Sequence, residues 1–133
     1  MSAENVAIVE RALDHFTKTG QPYRPIMDDG TEIFDHDIPD ARNPYRGLAG
    51  VDDWLSDFGA AWQRYEMHVE RLIDAGERVV SLVRIRAVGA GSGVAVERGD
   101  GIVWTFRNVK LARLDYFNGQ DEALEAAGLR DEA

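Results

Sequence analysis

Acidic residues beside histidine or arginine are the side chains of this sequence that can move protons. The densest cluster is Asp35-His36-Asp37, where a histidine between carboxylates can exchange a proton near neutral pH. Because successive strand residues point to opposite faces, we expect His36 to point away from Asp35 and Asp37. Two interpretations stay open: the cluster supplies catalytic groups, with Asp37 as a general base facing a cavity and His36 nearby, or it is a solvated surface turn.

Two further acids, Asp100 and Asp115, lie in strand-like segments of mainly apolar residues. An acid in an apolar setting has a raised pKa that suits acid–base chemistry, so both are candidate catalytic residues. The alternative is structural. Arg98 and Arg113 each precede an acid by two residues and can neutralise it in an ion pair, and a one-residue β-bulge would turn either acid outward.

The hydrophobic pattern predicts the elements that position these acids. Apolar residues recur at helical spacing over Asn5–Lys18 and from about Val51 to Tyr65, which predicts two amphipathic helices. The intervening residues 20–50 are rich in Gly, Pro and Asp and contain one brief strand in TEIFDHDI. Four strands and a terminal helix follow: MHVERLID, RVVSLVRIRAV, VAVERGDGIVWTFR, KLARLDYF, and then DEALEAAGL with Gly128 at its C-terminal cap and Leu129 folding back.

Short breaks between the strands indicate antiparallel hairpins and therefore an α+β fold, in which the two N-terminal helices cover one face of a curved antiparallel sheet. A two-residue turn at Asn108-Val109 would pair residue 104 with 113 and residue 102 with 115. A turn centred between Gly91 and Ser92 would add Arg98 and Asp100, with Val83 and Ile85, to the same face. That face is then predicted to hold Val83, Ile85, Arg98, Asp100, Ile102, Trp104, Phe106, Leu111, Arg113, Asp115 and Phe117, and the opposite face Gly101, Val103, Thr105, Ala112, Leu114 and Tyr116.

Between the helices and the sheet, the pattern predicts an apolar pocket. Apolar stripes at helical spacing are ordinarily core, but a cone lined by core residues also holds the largest expected cavity, so both interpretations can apply. The candidate pocket residues are Leu13, Phe16, Trp54, Phe58, Ile102 and Trp104.

Composition limits the function classes. The chain has 133 residues, no cysteine and a formal net charge of −9, and this length favours one domain spanning residues 1–133. The acidic charge disfavours nucleic acid and anionic membrane surfaces as partners, and no stretch approaches the ~20 apolar residues of a membrane span. Because His15 and His68 lie in separate elements, we expect neither a metal site nor a cofactor. A cytoplasmic location is the expectation.

The order of elements and three segments resemble the SnoaL-like group of the nuclear transport factor 2-like superfamily, which has a cystatin-like α+β cone. The segments are IPDARNPYRGLAGVDDWL (38–55), WTFRNVKLARLDYF (104–117) and EALEAAGL (122–129). The resemblance implies a homodimer formed through the outer face of the sheet. A partner subunit would cover the apolar residues that are expected on this face, which are Val80, Leu82, Val88, Val103 and Leu114.

The same resemblance implies candidate chemistry. Ketosteroid isomerase-like members use an Asp base with Tyr and protonated Asp donors. Aligning PYRG and TFRN places Asp37 at the base position but Leu13 and Ile102 at the donor positions. SnoaL-type polyketide cyclases use an acidic base, for which Asp100 or Asp115 is available.

Limonene epoxide hydrolase-like members of the superfamily use an Asp-Arg-Asp group. In this sequence Asp100, Arg98 or Arg113, and Asp115 are the available residues for it. The expected function is binding of a small apolar molecule in the cone, with proton-transfer chemistry of cyclase, isomerase or hydrolase type by an Asp base. The alternative is a non-catalytic binding or accessory protein.

Overall fold

A computed structural model describes residues 2–38 and 40–129 as one six-stranded sheet with helices on both faces. The sheet order is β2-β1-β6-β5-β4-β3, and neighbours are antiparallel except for the parallel pair β1 and β6. The elements are α1 (Ser2–Thr19), a 3-10 turn (Arg24–Ile26), β1 (Glu32–Asp35), β2 (Tyr45–Arg46), α2 (Gly47–Ala61), β3 (Trp62–Ala75), β4 (Arg78–Gly89), β5 (Ala95–Arg107), β6 (Lys110–Phe117) and α3 (Gln120–Ala126). The predicted α+β architecture is confirmed.

The second helix begins and ends about four residues before its predicted bounds, because α2 spans Gly47–Ala61 and Trp62 begins β3 with extended dihedral angles. Trp62 continues the helical spacing of α2 and was therefore placed on that helix. In the structure, Tyr65 pairs with Ala87 and Met67 with Ile85 across the β3–β4 ladder. Pairing with β4 along the whole segment thus overrides the local helical pattern.

The predicted register between β4 and β5 is confirmed. Val83 pairs with Asp100 and Ile85 with Arg98, so Arg98 and Asp100 lie on the inner face of the sheet, which α1 and α2 cover. The alternation continues along β5 and brings Ile102 into the main hydrophobic core. Register and alternation together therefore carry the first acid, Asp100, into the interior of the fold.

The predicted register between β5 and β6 is wrong beyond the first two pairs. Phe106 pairs with Leu111 as expected, but a β-bulge at Ala112 then shifts the strand, so that Trp104 pairs with Leu114 instead of Arg113. Leu114 and Tyr116 consequently join the inner core, whereas Arg113, Asp115 and Phe117 move to the outer face. The extra residue lets β6 bury its large side chains.

On the outer face, α3 packs against the apolar residues Val80, Leu82 and Val103 and buries them. Gly101 permits this close approach, since a Cβ there would lie 2.4 Å from the Cβ of Ala123. Gly128 adopts a φ of 74°, and the amide of Leu129 donates to the carbonyl of Leu124 at 2.8 Å, so the predicted terminal cap is confirmed.

The residues that were expected to need a partner subunit are therefore covered within the chain. Val80, Leu82 and Val103 lie under α3, and Leu114 lies in the inner core rather than on the outer face, because of the bulge in β6. Val88 is half-buried. Among the helices that the structure describes, none is long and apolar enough to cross a membrane.

Candidate functional site

Three spaces adjoin one another on the inner side of the sheet. An interior cavity of about 60 Å³ lies between the helices and the sheet, and an open groove of about 1010 Å³ runs along β3. The third, which we call the side pocket, measures about 320 Å³ and is lined by Asp37, Trp62 and Arg98 together with the loop that joins β4 to β5. The groove and the cavity share Leu13, Phe16, Leu55, Phe58 and Met67, and the groove and the side pocket share Trp62.

The structure brings all six predicted pocket residues to the wall of the interior cavity. These are Leu13, Phe16, Trp54, Phe58, Ile102 and Trp104. The wall is almost wholly apolar, and Tyr116 is the residue in it whose hydroxyl also joins a buried polar network. The cavity has room for only a few water-sized groups, whereas ligand sites are ordinarily several times larger. A ligand of ordinary size would therefore have to extend into the groove.

Asp100 is the centre of that network and is fully buried. Its carboxylate accepts hydrogen bonds from Arg98 Nε at 2.7 Å and Arg98 Nη2 at 3.2 Å, and from the hydroxyl of Tyr116. The oxygen of Tyr116 lies 2.7 Å from the hydroxyl oxygen of Tyr65, which lines the groove. A continuous chain of hydrogen-bonding groups thus joins a buried carboxylate to the groove.

Burial controls the proton affinities of this chain. It raises the pKa of Asp100, against the opposing effect of the bonds from Arg98 and Tyr116. Burial also raises the pKa of Tyr116 and of Tyr65 far above that of a free phenol, so both hydroxyls keep their protons. For Arg98, burial lowers the pKa, but hydrogen bonds to Asp100 and Asp37 outweigh it and hold the guanidinium charged.

Asp37 meets the same arginine from the opposite side. Its Oδ2 accepts a hydrogen bond from Arg98 Nη2 at 2.7 Å, and its Oδ1 accepts one from Asn118 Nδ2 at 3.2 Å. The turn after β1 aims it there, because Asp35 Oδ1 accepts the backbone amides of Asp37 and Ile38 at 2.8 and 3.0 Å. Arg98 therefore bridges two carboxylates, one at the side pocket and one in the interior.

Asp115 and His36 lie outside this site, which corrects the prediction that Asp115 shares a face with Ile102 and Trp104. The bulge in β6 turns Asp115 to the outer face, where it pairs with Arg113 at 2.8 Å and with His36 Nε2 at 3.0 Å. His36 points away from Asp37, as the alternation of strand residues predicts. Of the two interpretations of Asp115, the structural one, an ion pair with Arg113, describes what is observed.

Sequence reasoning missed the two tyrosines. Tyr65 was placed at the end of a helix, and Tyr116 was placed on the outer face. A signal for the second was present, since Leu111, Leu114 and Tyr116 cannot share one face under strict alternation. Leu111 and Leu114 are three positions apart, whereas Leu114 and Tyr116 are two apart. For all three to share one face, the strand needs a bulge between Leu111 and Leu114.

The described residues contain no group of three or more His, Asp or Glu side chains arranged to hold a metal ion. Arg98 occupies the space between the two inner carboxylates and neutralises them, so the pair is not free to act as a metal site. The chemistry available here is that of carboxylates, phenols and one guanidinium.

Comparisons with solved structures identify the fold. An NTF2-like protein of unknown function from Burkholderia pseudomallei K96243 has a TM-score of 0.76 and 16% identity, covering 92% of this chain and 95% of its own. A protein described as a SnoaL-like polyketide cyclase, from Jannaschia sp. CCS1, has a TM-score of 0.72 and 19% identity, covering 98% and 94%. TerC, co-crystallised with polyporic acid, has a TM-score of 0.71 and 16% identity, covering 94% and 98%.

No model of a protein family matches the sequence, and no curated protein matches it at a significant level. The structural likenesses establish the fold alone, because their identities are low. The chain has the same α+β cone fold as these proteins, two of which are described as NTF2-like and SnoaL-like, and the prediction of this fold is confirmed. Since this fold carries many unrelated activities, function has to be argued from the site itself.

Proposed function

We propose that the protein binds a small, largely apolar molecule in the groove, from which the molecule reaches the interior cavity and the side pocket, and catalyses proton transfer on it. The observation that carries this proposal is the bond from Tyr116 to the buried Asp100, because Tyr116 also lines the apolar cavity. A hydrogen-bond donor in a cavity wall, backed by a buried acid, suits acid–base chemistry on an apolar substrate.

Asp37 is the proposed general base. Its side chain is 11% exposed, it lines the side pocket, and its Oδ1 is held by Asn118 only weakly, at 3.2 Å. It can therefore accept a proton from a substrate carbon or from a water molecule in the side pocket. Arg98 keeps this carboxylate in place and offsets the charge of the two acids.

The tyrosine chain is the proposed acid. When Asp100 carries a proton, it can donate to Tyr116, which then donates to Tyr65 and leaves the hydroxyl of Tyr65 free to donate to a substrate oxygen. When Asp100 is ionised, the bonds run the other way and Tyr65 presents a lone pair instead. The protonation state of one buried carboxyl thus sets whether the substrate meets a donor or an acceptor.

The surroundings favour a neutral substrate. The cavity wall is apolar, and Arg98 is already paired with two carboxylates, so an anion would find no unpaired positive charge among these network residues. The groove provides room for a body larger than the cavity alone can hold. The crystallisation of TerC with polyporic acid supports a small organic ligand for a protein of this fold.

The test uses four single-residue variants and a panel of neutral substrates. The panel contains a β,γ-unsaturated ketone for isomerisation, an apolar epoxide for hydrolysis and a polyketone for aldol cyclisation. With the substrate that turns over, we expect Asp37→Asn to reduce kcat by about 10²–10⁴ and Tyr116→Phe to reduce it by a smaller factor. Asp121→Asn, at an exposed aspartate of α3, and Tyr45→Phe, at a tyrosine whose hydroxyl bonds Asp57 outside the lining of the three spaces, should retain wild-type kcat.

Two results would contradict the assignment. One is equal turnover by Asp37→Asn and the wild type, and the other is a loss in Asp121→Asn as large as the loss in Asp37→Asn. Binding is measured separately with N-phenyl-1-naphthylamine, a neutral fluorescent probe. Phe58→Asp, which places a charge in the wall shared by groove and cavity, should abolish binding of the probe.

The second candidate function is non-catalytic binding. Leu13 and Ile102 stand at the positions where the resemblance to ketosteroid isomerase-like proteins calls for donors, and both lie in the apolar cavity wall. Under this function the probe binds, no panel substrate turns over, and Asp37→Asn leaves probe affinity unchanged.

Homodimerisation and a cytoplasmic location stay predictions. Light scattering at micromolar concentration tests the first, and a monomeric mass would remove it. Because α3 covers the outer apolar residues, a dimer would have to use other surfaces, such as the exposed pair formed by Arg86 and Glu97.

A further inference from the structure

We propose that His36 is a positioning residue for Asp37: its contacts on the outer face of the sheet fix the backbone that presents the Asp37 carboxylate to Arg98. The inference rests on the proposed function, because it concerns the base that this function requires. It also gives His36 a role that does not require it to enter the cone.

The outer contacts of His36 are well defined. Its ring stacks on Phe117 with centroids 4.4 Å apart and planes 6° from parallel, and its Nε2 lies 3.0 Å from Asp115 Oδ1. Asp115 is itself held by Arg113 Nε at 2.8 Å and Nη2 at 3.0 Å. The imidazole is therefore fixed in both plane and direction by groups that are themselves anchored to β6.

Few backbone bonds fix Asp37. Strand β1 ends at Asp35, and the amide of His36 makes the last bond to β6, donating to the carbonyl of Tyr116 at 2.8 Å. Beyond that point, the position of Asp37 depends on the turn at Asp35 and on side-chain contacts.

The same end of β6 holds both neighbouring residues. Phe117 stacks on His36 on the outer side, and the adjacent Asn118 donates to Asp37 at 3.2 Å. The segment His36–Asp37 is thus held by contacts on both faces of the sheet. Release of His36 on one face would let the backbone shift and lengthen the contacts of Asp37 with Asn118 and Arg98 on the other.

The experiment compares His36→Ala, His36→Gln and the control Arg86→Ala, an exposed ion-pair change on the same outer face. The readout is side-chain NMR: the rate of rotation about the Arg98 Nε–Cζ bond, and hydrogen exchange of the Asn118 carboxamide. In His36→Ala we expect both rates to rise about tenfold, as for loss of one charge-assisted hydrogen bond. His36→Gln, whose amide can donate to Asp115, should restore much of the wild-type rates.

Arg86→Ala should keep the wild-type rates. Wild-type rates in a folded His36→Ala protein would overturn the proposal, even if the melting temperature fell, because a merely structural role lowers stability without releasing Asp37. If His36→Ala does not fold, Phe117→Leu takes its place, since it removes the stacking and leaves the imidazole to bond Asp115. Wild-type rates in Phe117→Leu would then overturn the proposal.

The measurement needs no substrate, so the two proposals fail separately. Unchanged NMR rates would remove the role of His36 and leave Asp37 as the proposed base. Full turnover by Asp37→Asn would remove the base and leave the measured contacts intact. With a substrate in hand, His36→Ala should lower kcat more than it changes KM, and His36→Gln should recover kcat.

Discussion

Two neighbouring strands each carry an arginine two residues before an aspartate, and the two pairs have opposite environments. Arg98 and Asp100 in β5 face the interior, where Asp100 is fully buried and bonds a second group, the hydroxyl of Tyr116. Arg113 and Asp115 in β6 face outward, where the arginine side chain is 47% exposed. The Arg-X-Asp spacing is the same in both strands, so the difference in environment comes from the bulge at Ala112.

This difference teaches where proton chemistry can arise on such a sheet. In the inner pair, burial raises the pKa of Asp100 and Arg98 bridges to a second acid, Asp37. In the outer pair, the hydrogen bonds that Arg113 donates to Asp115 raise the pKa of the guanidinium, and this effect outweighs the opposing effect of burial. Only the inner pair combines burial with a neighbouring cavity, which is why the proposed function uses it.

The largest expected effect comes from Leu114→Asp, because the bulge places Leu114 on the inner face, where it is buried. An unpaired carboxylate in the core, together with the lost packing, should lower the free energy of unfolding by at least about 4 kcal/mol. Urea denaturation followed by circular dichroism measures the loss. Ala112→Asp, at the half-buried bulge residue, is the control and should cost much less. A Leu114→Asp protein as stable as the wild type would contradict the register in β6.

The second prediction removes each arginine in turn. Arg98→Met leaves two acids, 11% and 0% exposed, without their shared cation, and should lower the free energy of unfolding by about 3 kcal/mol at neutral pH. Arg113→Met leaves one acid, Asp115, which is 10% exposed but keeps its contact with His36, so it should cost less, about 1–2 kcal/mol. Equal losses in urea denaturation would show that the environments of the two pairs do not differ in energy.

The third prediction concerns pH. Because burial raises the pKa of Asp100, the folded protein holds this proton more tightly than the unfolded chain does. The resulting stabilisation is complete below the usual aspartate pKa, about 3.9, and is lost as the pH rises through the raised value. Relative to Asp100→Asn, the wild type should therefore lose stability as the pH rises above the usual aspartate pKa toward neutral pH.

Urea denaturation at a series of pH values gives the free energy of unfolding of the wild type and of Asp100→Asn, and their difference should change with pH. Asp115→Asn serves as the matched substitution on the outer face. If the difference between the wild type and Asp115→Asn changed with pH by the same amount, the effect would have a cause other than the burial of Asp100.

The smallest expected effect is at the turn that joins the two strands. Val109 has a φ of 59°, which a β-branched side chain resists, and it is 45% exposed. Val109→Gly would create an Asn-Gly turn and should raise the free energy of unfolding by about 1 kcal/mol. The urea midpoint measures this gain. Val94→Gly, at an exposed valine in another hairpin, should give no gain, and a loss in Val109→Gly would contradict the strain.

Much of the fold could be predicted because it depends on periodicity and turn residues. Helical spacing gave the extent of α1 to within a few residues, and the Gly-rich loop centred the β4–β5 hairpin so that Asp100 was correctly paired with Val83. The resemblance of three segments indicated the cone, and the apolar pattern indicated six of the residues in the cavity wall. These features repeat along the chain and therefore leave several concordant signals in the sequence.

The parts of the site that could not be predicted depend on single-residue events. One bulge decides the side of Asp115 and Tyr116, and strict alternation takes no account of it. Trp62 and Tyr65 fit a helical stripe as well as a strand, and only pairing with β4 distinguishes the two. The bond between Asp37 and Arg98 joins residues 61 positions apart, a contact that no local pattern contains.

The bulge in β6 also affects how proteins of this fold are compared. At identities of 12–19%, an ungapped alignment through the last strand would match Asp115 with an interior position whenever the relative lacks the extra residue. Roles inferred from the catalytic residues of such a relative would then be assigned to the wrong side chains of this chain. Conversely, closing the bulge without changing the number of residues would exchange every side chain beyond Leu111 that the strand offers to the cone, so one backbone irregularity decides a whole set of chemical groups while the fold is kept.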